Sequence, residues 1–471
     1  MFGLDFSLTL LLFFCIASAL AFEFINGFHD TANAVATVIY THSLRPVVAV
    51  IWSGIWNFIG VNVGGIAVAI AIINLLPVEA LVDSNIYHNL AIVMALIITA
   101  ILWNIGTWYL GIPCSSSHTL IGSITGVSIA YMLLPSSHGI LLNWGKVKGA
   151  GLSLIISPII GFTLAILLMY LLRRLMKNKA IFKEPPAKKP PPAWIRSVLI
   201  LTSTFVSFSH GSNDGQKGVG LLMIILIAIL PARFALDASK NPVSLKKNIW
   251  ETKVLLSNIE REKLTAREMT LYLEISESLN SLDNGLASIH SFAQMKGDAS
   301  AKARKDILTL SKKTDAFSNA VSSSSNSSVS QKLVRDIKHQ VSQIRTHTEY
   351  APWWVIFLIS ISLGLGTMIG WKRIVVTLGE KIGKSHLTYA QGASANLVAA
   401  TTISVSSYFG LPVSTTHVLS SGIAGTMVSG NGMKNLQTRT LAAIGIAWLV
   451  TIPVTMLFSG VLFLLFRMLF K

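Results

Sequence analysis

Asp30 lies inside a polar stretch, Gly27-Phe28-His29-Asp30-Thr31-Ala32-Asn33-Ala34, which follows the apolar run Leu8 to Ala21 and Glu23. A related stretch, Ser209-His210-Gly211-Ser212-Asn213-Asp214-Gly215-Gln216-Lys217-Gly218, aligns Asp214 with Asp30 and Gly211 with Gly27, glycines that let the backbone unwind and approach a ligand. Carboxylates, amides and imidazoles are costly in hydrocarbon and normally face a polar cavity. Two kinds of chemistry suit such carboxyls. Burial and a nearby like charge favour the protonated form, which makes Asp30 and Asp214 proton carriers. Asp and Asn oxygens beside unwound backbone, here also Asn33 and Asn213, equally hold Na⁺. The plainer role is a carboxylate that caps a broken helix. Lys217 takes the place of Asn33 and pairs with Asp214 or meets an anion.

A second motif is also doubled. Gly111-Ile112-Pro113-Cys114-Ser115-Ser116-Ser117-His118 matches Gly410-Leu411-Pro412-Val413-Ser414-Thr415-Thr416-His417, and Gly126 falls on Gly425. Proline suits the first turn of a helix, where its missing N–H would be unpaired anyway. The hydroxyls of Ser115, Ser116, Ser117, Ser414, Thr415 and Thr416 then sit beside outward-pointing N–H groups, a setting that favours an anion. Two such tips brought together surround a tetrahedral oxyanion. Alternatively, small hydroxyl residues only permit close helix packing in a membrane. His29, His118, His210, Gln216, Lys217 and His417 form an outer ring around these motifs.

These residues need a membrane scaffold. Of 471 residues, 52% are hydrophobic and 13% charged, against about 25% charged in soluble domains. Mean hydropathy is +0.60. The net charge of +17 collects between apolar runs, as the positive-inside rule expects, so nucleic acid is not expected as a partner. Cys15 and Cys114 read as small hydrophobes. The N-terminal run lacks a basic n-region and reads as a retained helix. Candidate spans are 6–26, 47–76, 87–111, 113–134, 149–172, 196–212, 216–232, 351–371, 388–410, 411–430 and 438–469, each near the roughly 20 residues a span needs. Segments 113–134 and 411–430 read as re-entrant hairpins. Two motifs repeated in the same order point to an internal duplication and a transporter's midplane site. The expected organisation is a first transmembrane repeat at 1–178, a basic proline-rich linker at 179–195, and a second repeat at 196–471 interrupted by a soluble helical insert at 233–350.

Within the insert, Ile275, Leu279, Leu282, Leu286 and Ile289 keep helical spacing, as do Leu333, Ile337, Val341 and Ile344, with a serine-rich loop at 322–330 between them. Every repeated motif lies outside residues 235–349, so these are expected to be dispensable for transport. Lys372, Arg373, Lys381 and Lys384 conflict with the positive-inside rule if the insert is cytoplasmic, which leaves orientation open. There is no Walker A loop, and no acid is placed to orient His118 against a serine. The chain therefore reads as a non-enzyme, with no catalytic residue, resident metal or cofactor.

The two Asp motifs, the two Pro-hydroxyl-His motifs, and the stretches Trp103-Asn104-Ile105-Gly106-Thr107-Trp108 and Gly366-Thr367-Met368-Ile369-Gly370-Trp371 resemble the PiT inorganic phosphate transporters, in particular the bacterial low-affinity permeases. The likeness covers nearly all of the chain outside the insert. It implies an all-α polytopic membrane protein with two inverted-topology repeats, broken helices and paired re-entrant hairpins around one phosphate. It also implies a bacterial inner membrane location and a homodimer. Sodium-coupled members read Gly-Ala-Asn-Asp-Val-Ala-Asn-Ala in both copies. Phe28-His29 and Gly215-Gln216-Lys217-Gly218 depart from that and resemble the proton-coupled branch, whose cargo is a neutral complex of phosphate with a divalent metal. The expectation is a secondary importer of phosphate by proton symport. Its rivals are a sodium-coupled phosphate or sulfate symporter, an anion channel, and a transporter-like receptor.

Overall fold

In the computed structural model, residues 5–77, 86–135, 144–186, 189–323, 329–370 and 372–469 are described, without the side chains of residues 31, 146, 373, 378–380 and 431. Lys188, Trp371, the Arg373 side chain and the middle of the serine-rich loop lie outside that set. Among the described residues the chain is all helical, with only an isolated bridge between Gly383 and Leu436.

α1 (Phe6–Tyr40) is capped by Asp5, whose side chain accepts from the N–H of Leu8. At 35 residues it is about 50 Å long, well beyond the roughly 30 Å of a bilayer's hydrocarbon core. The span expected at 47–76 divides into α2 (Pro46–Val63) and α3 (Ala67–Ile73), because Gly65 turns the chain with φ 77°. α4 (Ile86–Tyr109) and α5 (Ser116–Met132) form a hairpin, followed by α6 (Trp144–Leu175). α7 (Ala193–His210) passes through one π turn, Gly211–Gly215, into α8 (Gln216–Ile229). The insert contributes α9 (Pro242–Ser257), α10 (Ala266–Leu286), α11 (Gly297–Ser323) and α12 (Gln331–Arg345). α13 (Trp353–Thr367) and α14 (Lys372–Glu380) precede the second hairpin, α15 (Tyr389–Tyr408) and α16 (Thr415–Asn431); α17 (Thr438–Leu469) closes the chain.

Five of the described helices are long and apolar enough to cross a membrane: Phe6–Tyr40, Pro46–Val63, Ile86–Tyr109, Val147–Leu175 and Thr438–Leu469. Their outer faces carry large exposed apolar side chains, such as Leu449 at 77% and Leu457 at 71%. Water would not tolerate such a continuous surface; lipid does.

The expected broken helices are corrected at both Asp motifs. α1 is continuous through Asp30, and Asp214 sits in a wound π turn. The glycines there serve helix crossing instead of unwinding. A Cβ on Gly27 would stand 2.5 Å from the carbonyl oxygen of Leu363 in α13, and one on Gly211 would stand 2.2 Å from that of Asn57 in α2. The prolines are corrected too. Helices α5 and α16 begin after N-caps Ser115 and Ser414, so Pro113 and Pro412 precede the cap and are not in the first turn. The tips turn at Gly111 and Gly410, with φ 67° and 66°, a region open to glycine at little steric cost.

Apolar packing brackets the polar motifs. One core takes Leu12 to Phe22 of α1 with α3, α4 and α8; another takes Ala32 to Val38 with α15 and α16. A third lies within the insert, where Ile275, Leu279, Leu282 and Leu286 are buried as their spacing suggested. Ile289 lies beyond the end of α10 but still packs on that core. Buried Arg304, which burial pushes down to about 10, donates through Nη1 to the carbonyls of Ala235 and Thr348, each at 3.0 Å. It thereby ties together the two ends of the insert.

α13 runs parallel to α1. Ser362 donates to the carbonyl of Leu20 at 2.6 Å, and Gly366 sits on Phe24. The insert therefore leaves the body on the face where α1 begins. The linker returns on the opposite face, where Arg196 donates to the carbonyl of Ser43 at 2.8 Å.

Candidate functional site

The starts of α5 and α16 meet between α1 and the π turn. Their caps are alike: Ser115 Oγ accepts the N–H of His118 at 3.2 Å, and Ser414 Oγ accepts that of His417 at 3.1 Å. Of the next two hydroxyls of each helix, three reach the carboxylates and Ser117 reaches a backbone carbonyl. Ser116 donates to Asp30 Oδ2 at 3.3 Å and Thr416 to Asp30 Oδ1 at 2.7 Å. Thr415 donates to Asp214 Oδ2 at 3.2 Å, and Ser117 to the carbonyl of Val413 at 2.7 Å. Asn33 donates to Thr416 at 2.9 Å. Lys217, its counterpart, donates to Ser117, to Asp214 Oδ1 at 2.6 Å and to the Val413 carbonyl at 3.0 Å. Each Asp motif thus reaches the third hydroxyl of the opposite half's tip. All of these groups are buried.

Asn213 steadies the second tip. Its amide nitrogen donates to Ser407 at 2.9 Å and the Leu411 carbonyl at 3.3 Å, while its oxygen accepts the N–H of Val413 at 3.4 Å. Gln216 stands apart from the tip hydroxyls. It bridges the division between α2 and α3, accepting from Val68 N–H at 2.7 Å and donating to the Gly64 carbonyl at 2.8 Å. His118 and His417 pack behind the tips, with ring centroids 4.3 Å apart and His417 stacked on Trp448 at 3.7 Å.

His29 and His210 do more. Thr367 Oγ1 donates to the carbonyl of Leu363 at 2.8 Å, so it accepts from Asn57 Nδ2 at 3.0 Å. That leaves Asn57 Oδ1 to accept the N–H of His210 Nδ1 at 2.8 Å. His210 Nε2 then faces Asp214 Oδ2 at 3.4 Å and Asp30 Oδ2 at 3.7 Å. On the other side, Thr107 Oγ1 donates to the Trp103 carbonyl at 2.9 Å and accepts from His29 Nε2 at 3.3 Å. His29 Nδ1 faces Asp30 Oδ1 at 3.2 Å. In a neutral imidazole one nitrogen donates and the other accepts. With the outer nitrogen donating, a lone pair would meet a carboxylate unless a proton or cation lies between. Asp30 receives two such nitrogens.

Asn57, Thr107 and Thr367 fix these rings, and sequence reasoning gave them no role. An asparagine inside the apolar run 47–76 was the available signal for Asn57. Sequence reasoning also foresaw no metal centre. Ligand atoms of Asp30, His210 and Asp214 lie within 4.8 Å of one another, an arrangement able to hold a cation.

A cavity lies over each tip. One of about 690 Å³ is lined by Gly410, Leu411 and Pro412 together with Arg345 and Glu349 at the end of the insert. The other, about 220 Å³, is lined by Gly111, Ile112 and Pro113 with Lys381 and Arg439.

The profile of the phosphate transporter family matches residues 26–459. The chain is 41% identical to a low-affinity inorganic phosphate transporter of Buchnera aphidicola from Acyrthosiphon pisum, covering 98% of this chain and 97% of that protein. It is 40% identical to the low-affinity inorganic phosphate transporter PitA of Escherichia coli K12, with the same coverage. A solved structure, the sodium-dependent phosphate transporter, superposes with a TM-score of 0.55 at 18% identity, covering 97% of this chain and 99% of that one.

Proposed function

The chain belongs to the phosphate transporter family, and from that premise we propose that it imports inorganic phosphate by proton symport. Ser115, Ser116, Ser117, Ser414, Thr415 and Thr416 supply hydroxyl and N–H donors for the anion. Asp30 and Asp214, with Asn33 and Asn213, form the coupling group. The observation that carries the proton assignment is the pair of hydrogen-bonded chains that turn His210 Nε2 between Asp214 and Asp30 and His29 Nδ1 to Asp30. Sodium would have to displace these nitrogens or share their lone pairs.

Coupling follows from competition for the same donors. While Asp30 and Asp214 are ionised, they hold the hydroxyls of Ser116, Thr415 and Thr416. They also repel an approaching anion. A proton on Asp30 releases Ser116 and Thr416 and removes that carboxylate's repulsion, so these hydroxyls turn to phosphate. Phosphate and proton then stabilise each other's binding, as linkage requires.

The reading includes two inverted repeats, 1–178 and 196–471, with linker 179–195 and insert 233–350. It also includes segments 113–134 and 411–430 as re-entrant elements entering from opposite faces. Arg45, Arg196 and Lys372 line one cavity with Pro190. On the positive-inside rule that face is cytoplasmic and the insert lies outside. The conflict raised by Lys372 and Lys381 then disappears. Carriage of phosphate as a neutral complex with a divalent metal, a homodimer and residence in a bacterial inner membrane complete the proposal.

The test is phosphate uptake into proteoliposomes under imposed proton or sodium gradients, with sulfate as competitor. An inward acid gradient in sodium-free buffer should drive accumulation above equilibrium, with little competition from sulfate. Strict dependence on sodium, without response to the acid gradient, would overturn proton coupling. Labelled counterflow separates a carrier, which exchanges, from a channel, which does not.

A further inference from the structure

We propose that Glu23 is a second proton-binding station, formed with Asn26 and Asn104 on the insert side of Asp30. Glu23 and Asn26 lie one turn apart on α1, and Asn26 Nδ2 donates to Glu23 Oε1 at 3.2 Å. Both are fully buried, and so is Asn104. Glu23 Oε2, Asn26 Oδ1 and both amide atoms of Asn104 find no hydrogen-bond partner among the described residues. α1 and α4 run side by side in one direction, with Cys15 on Met94 at 3.8 Å and His29 on Thr107 at 3.3 Å. That register sets Asn104 level with Asn26. From the other flank α8 closes in. A Cβ on Gly218 would stand 2.3 Å from Glu23 Oε2, so the glycine lets the carboxyl lie against the α8 backbone.

Orphaned buried polar atoms are rare in native proteins, and each costs on the order of 1–3 kcal/mol. Three of the four here are oxygens that accept: Glu23 Oε2, Asn26 Oδ1 and Asn104 Oδ1. An ionised Glu23 offers them no hydrogen. A proton bound at Oε2 creates an O–H that Asn26 Oδ1 or Asn104 Oδ1 accepts, and it removes a buried charge. The charged and titratable groups that act on Glu23 are His210, Asp214 and Lys217. Lys217 is committed to Asp214 at 2.6 Å, so it does not serve as counter-ion. α4 carries His88, about 20 Å further along by the same register, and α13 carries no titratable residue.

Two turns of α1, about 10 Å, separate Glu23 from Asp30. The station therefore holds a proton of its own, apart from the one shared by Asp30 and its histidines. This rests on the proton-symport reading and deepens it by naming a further group that binds the driving ion.

Two measurements on the full chain test it. In proteoliposomes, the proton-to-phosphate ratio is read from the phosphate gradient that balances an imposed pH gradient. Glu23→Gln should still exchange labelled phosphate but move about one proton fewer per phosphate, since the amide cannot bind the proton. In purified protein near neutral pH, infrared difference spectra should show a neutral-carboxyl band that Glu23→Gln removes and Glu23→Asp shifts. An unchanged ratio in an exchanging Glu23→Gln protein overturns the station. So does a spectrum in which neither substitution alters an acid band, or a band that answers to sodium instead of pH. If wild-type protein ignores the proton gradient, the symport reading fails, while the infrared band still decides Glu23. If Glu23→Gln fails to insert, Glu23→Asp supplies the spectrum.

Discussion

The two Asp motifs occupy equivalent places yet carry opposite charge balance. Aligned on Asp30 and Asp214, the first copy holds Glu23, Asn26, His29 and Asn33, where the second holds Ser207, His210, Asn213 and Lys217. Backbone-level features agree between copies: a glycine one turn earlier, a hydroxyl from each hairpin tip, and matched Ser115 and Ser414 caps. Glycines 126 and 425 also do one job, letting α5 and α16 approach the carbonyls of Met456 and Phe162. The side chains differ where charge is decided. Asp214 has the Lys217 amine at 2.6 Å and shares His210, at 3.4 Å, with Asp30; Asp30 has only imidazoles, His29 at 3.2 Å and His210 at 3.7 Å, which are cationic only when protonated. The two copies share the geometry of tip and carboxyl. The side chains set one carboxyl against a lysine and the other against imidazoles alone, and on the proposed reading only the second depends on a mobile proton.

The sharpest way to break this comparison is to neutralise each carboxyl. Asp214→Asn leaves Lys217 buried without its partner, which typically costs about 3–5 kcal/mol. We expect low yield and a reduced Tm in detergent, with recovery in Asp214→Asn/Lys217→Met. Asp30→Asn should fold well, exchange phosphate and lose acid-driven accumulation. Equal thermal stability of the two single variants would remove the asymmetry.

A smaller effect tests the shared geometry. Ser116 and Thr415 are equivalent, each donating to the carboxylate of its own half. Each alanine substitution should weaken phosphate affinity about 10- to 100-fold, the worth of a hydrogen bond to a charged group. Unchanged affinity in the double variant, measured by calorimetry or competition uptake, would dismiss the tips as the anion site.

The smallest effect concerns the insert, which has its own core and lacks the repeated motifs. Replacing residues 235–349 by a flexible linker should leave uptake by well-inserted protein within about threefold, well under 1 kcal/mol. Arg345 and Glu349 line the cavity over Pro412, so the residual change should be reproduced by Arg345→Ala in the intact chain. Complete loss of uptake would make the insert part of the transport cycle.

Much of this was legible in the chain itself. Apolar runs set the helices because burying them in lipid dominates the energy, and the doubled motifs exposed both hairpins and both carboxyls. The glycines misled. Gly27 and Gly211 read as points of unwinding, because sequence cannot distinguish a glycine that frees the backbone from one that admits a neighbouring helix. The prolines misled for a related reason, since a helix start is fixed by which hydroxyl caps it, and Ser115 and Ser414 won that role. Only the tertiary structure decided how the charges are shared. Thr416 in the second tip donates across to Asp30 of the first half, and Asn57, Thr107 and Thr367 set the histidine tautomers from helices far away in sequence. Hydrogen bonds of that kind act over about 3 Å. They are fixed by which helices touch, and local sequence does not encode that.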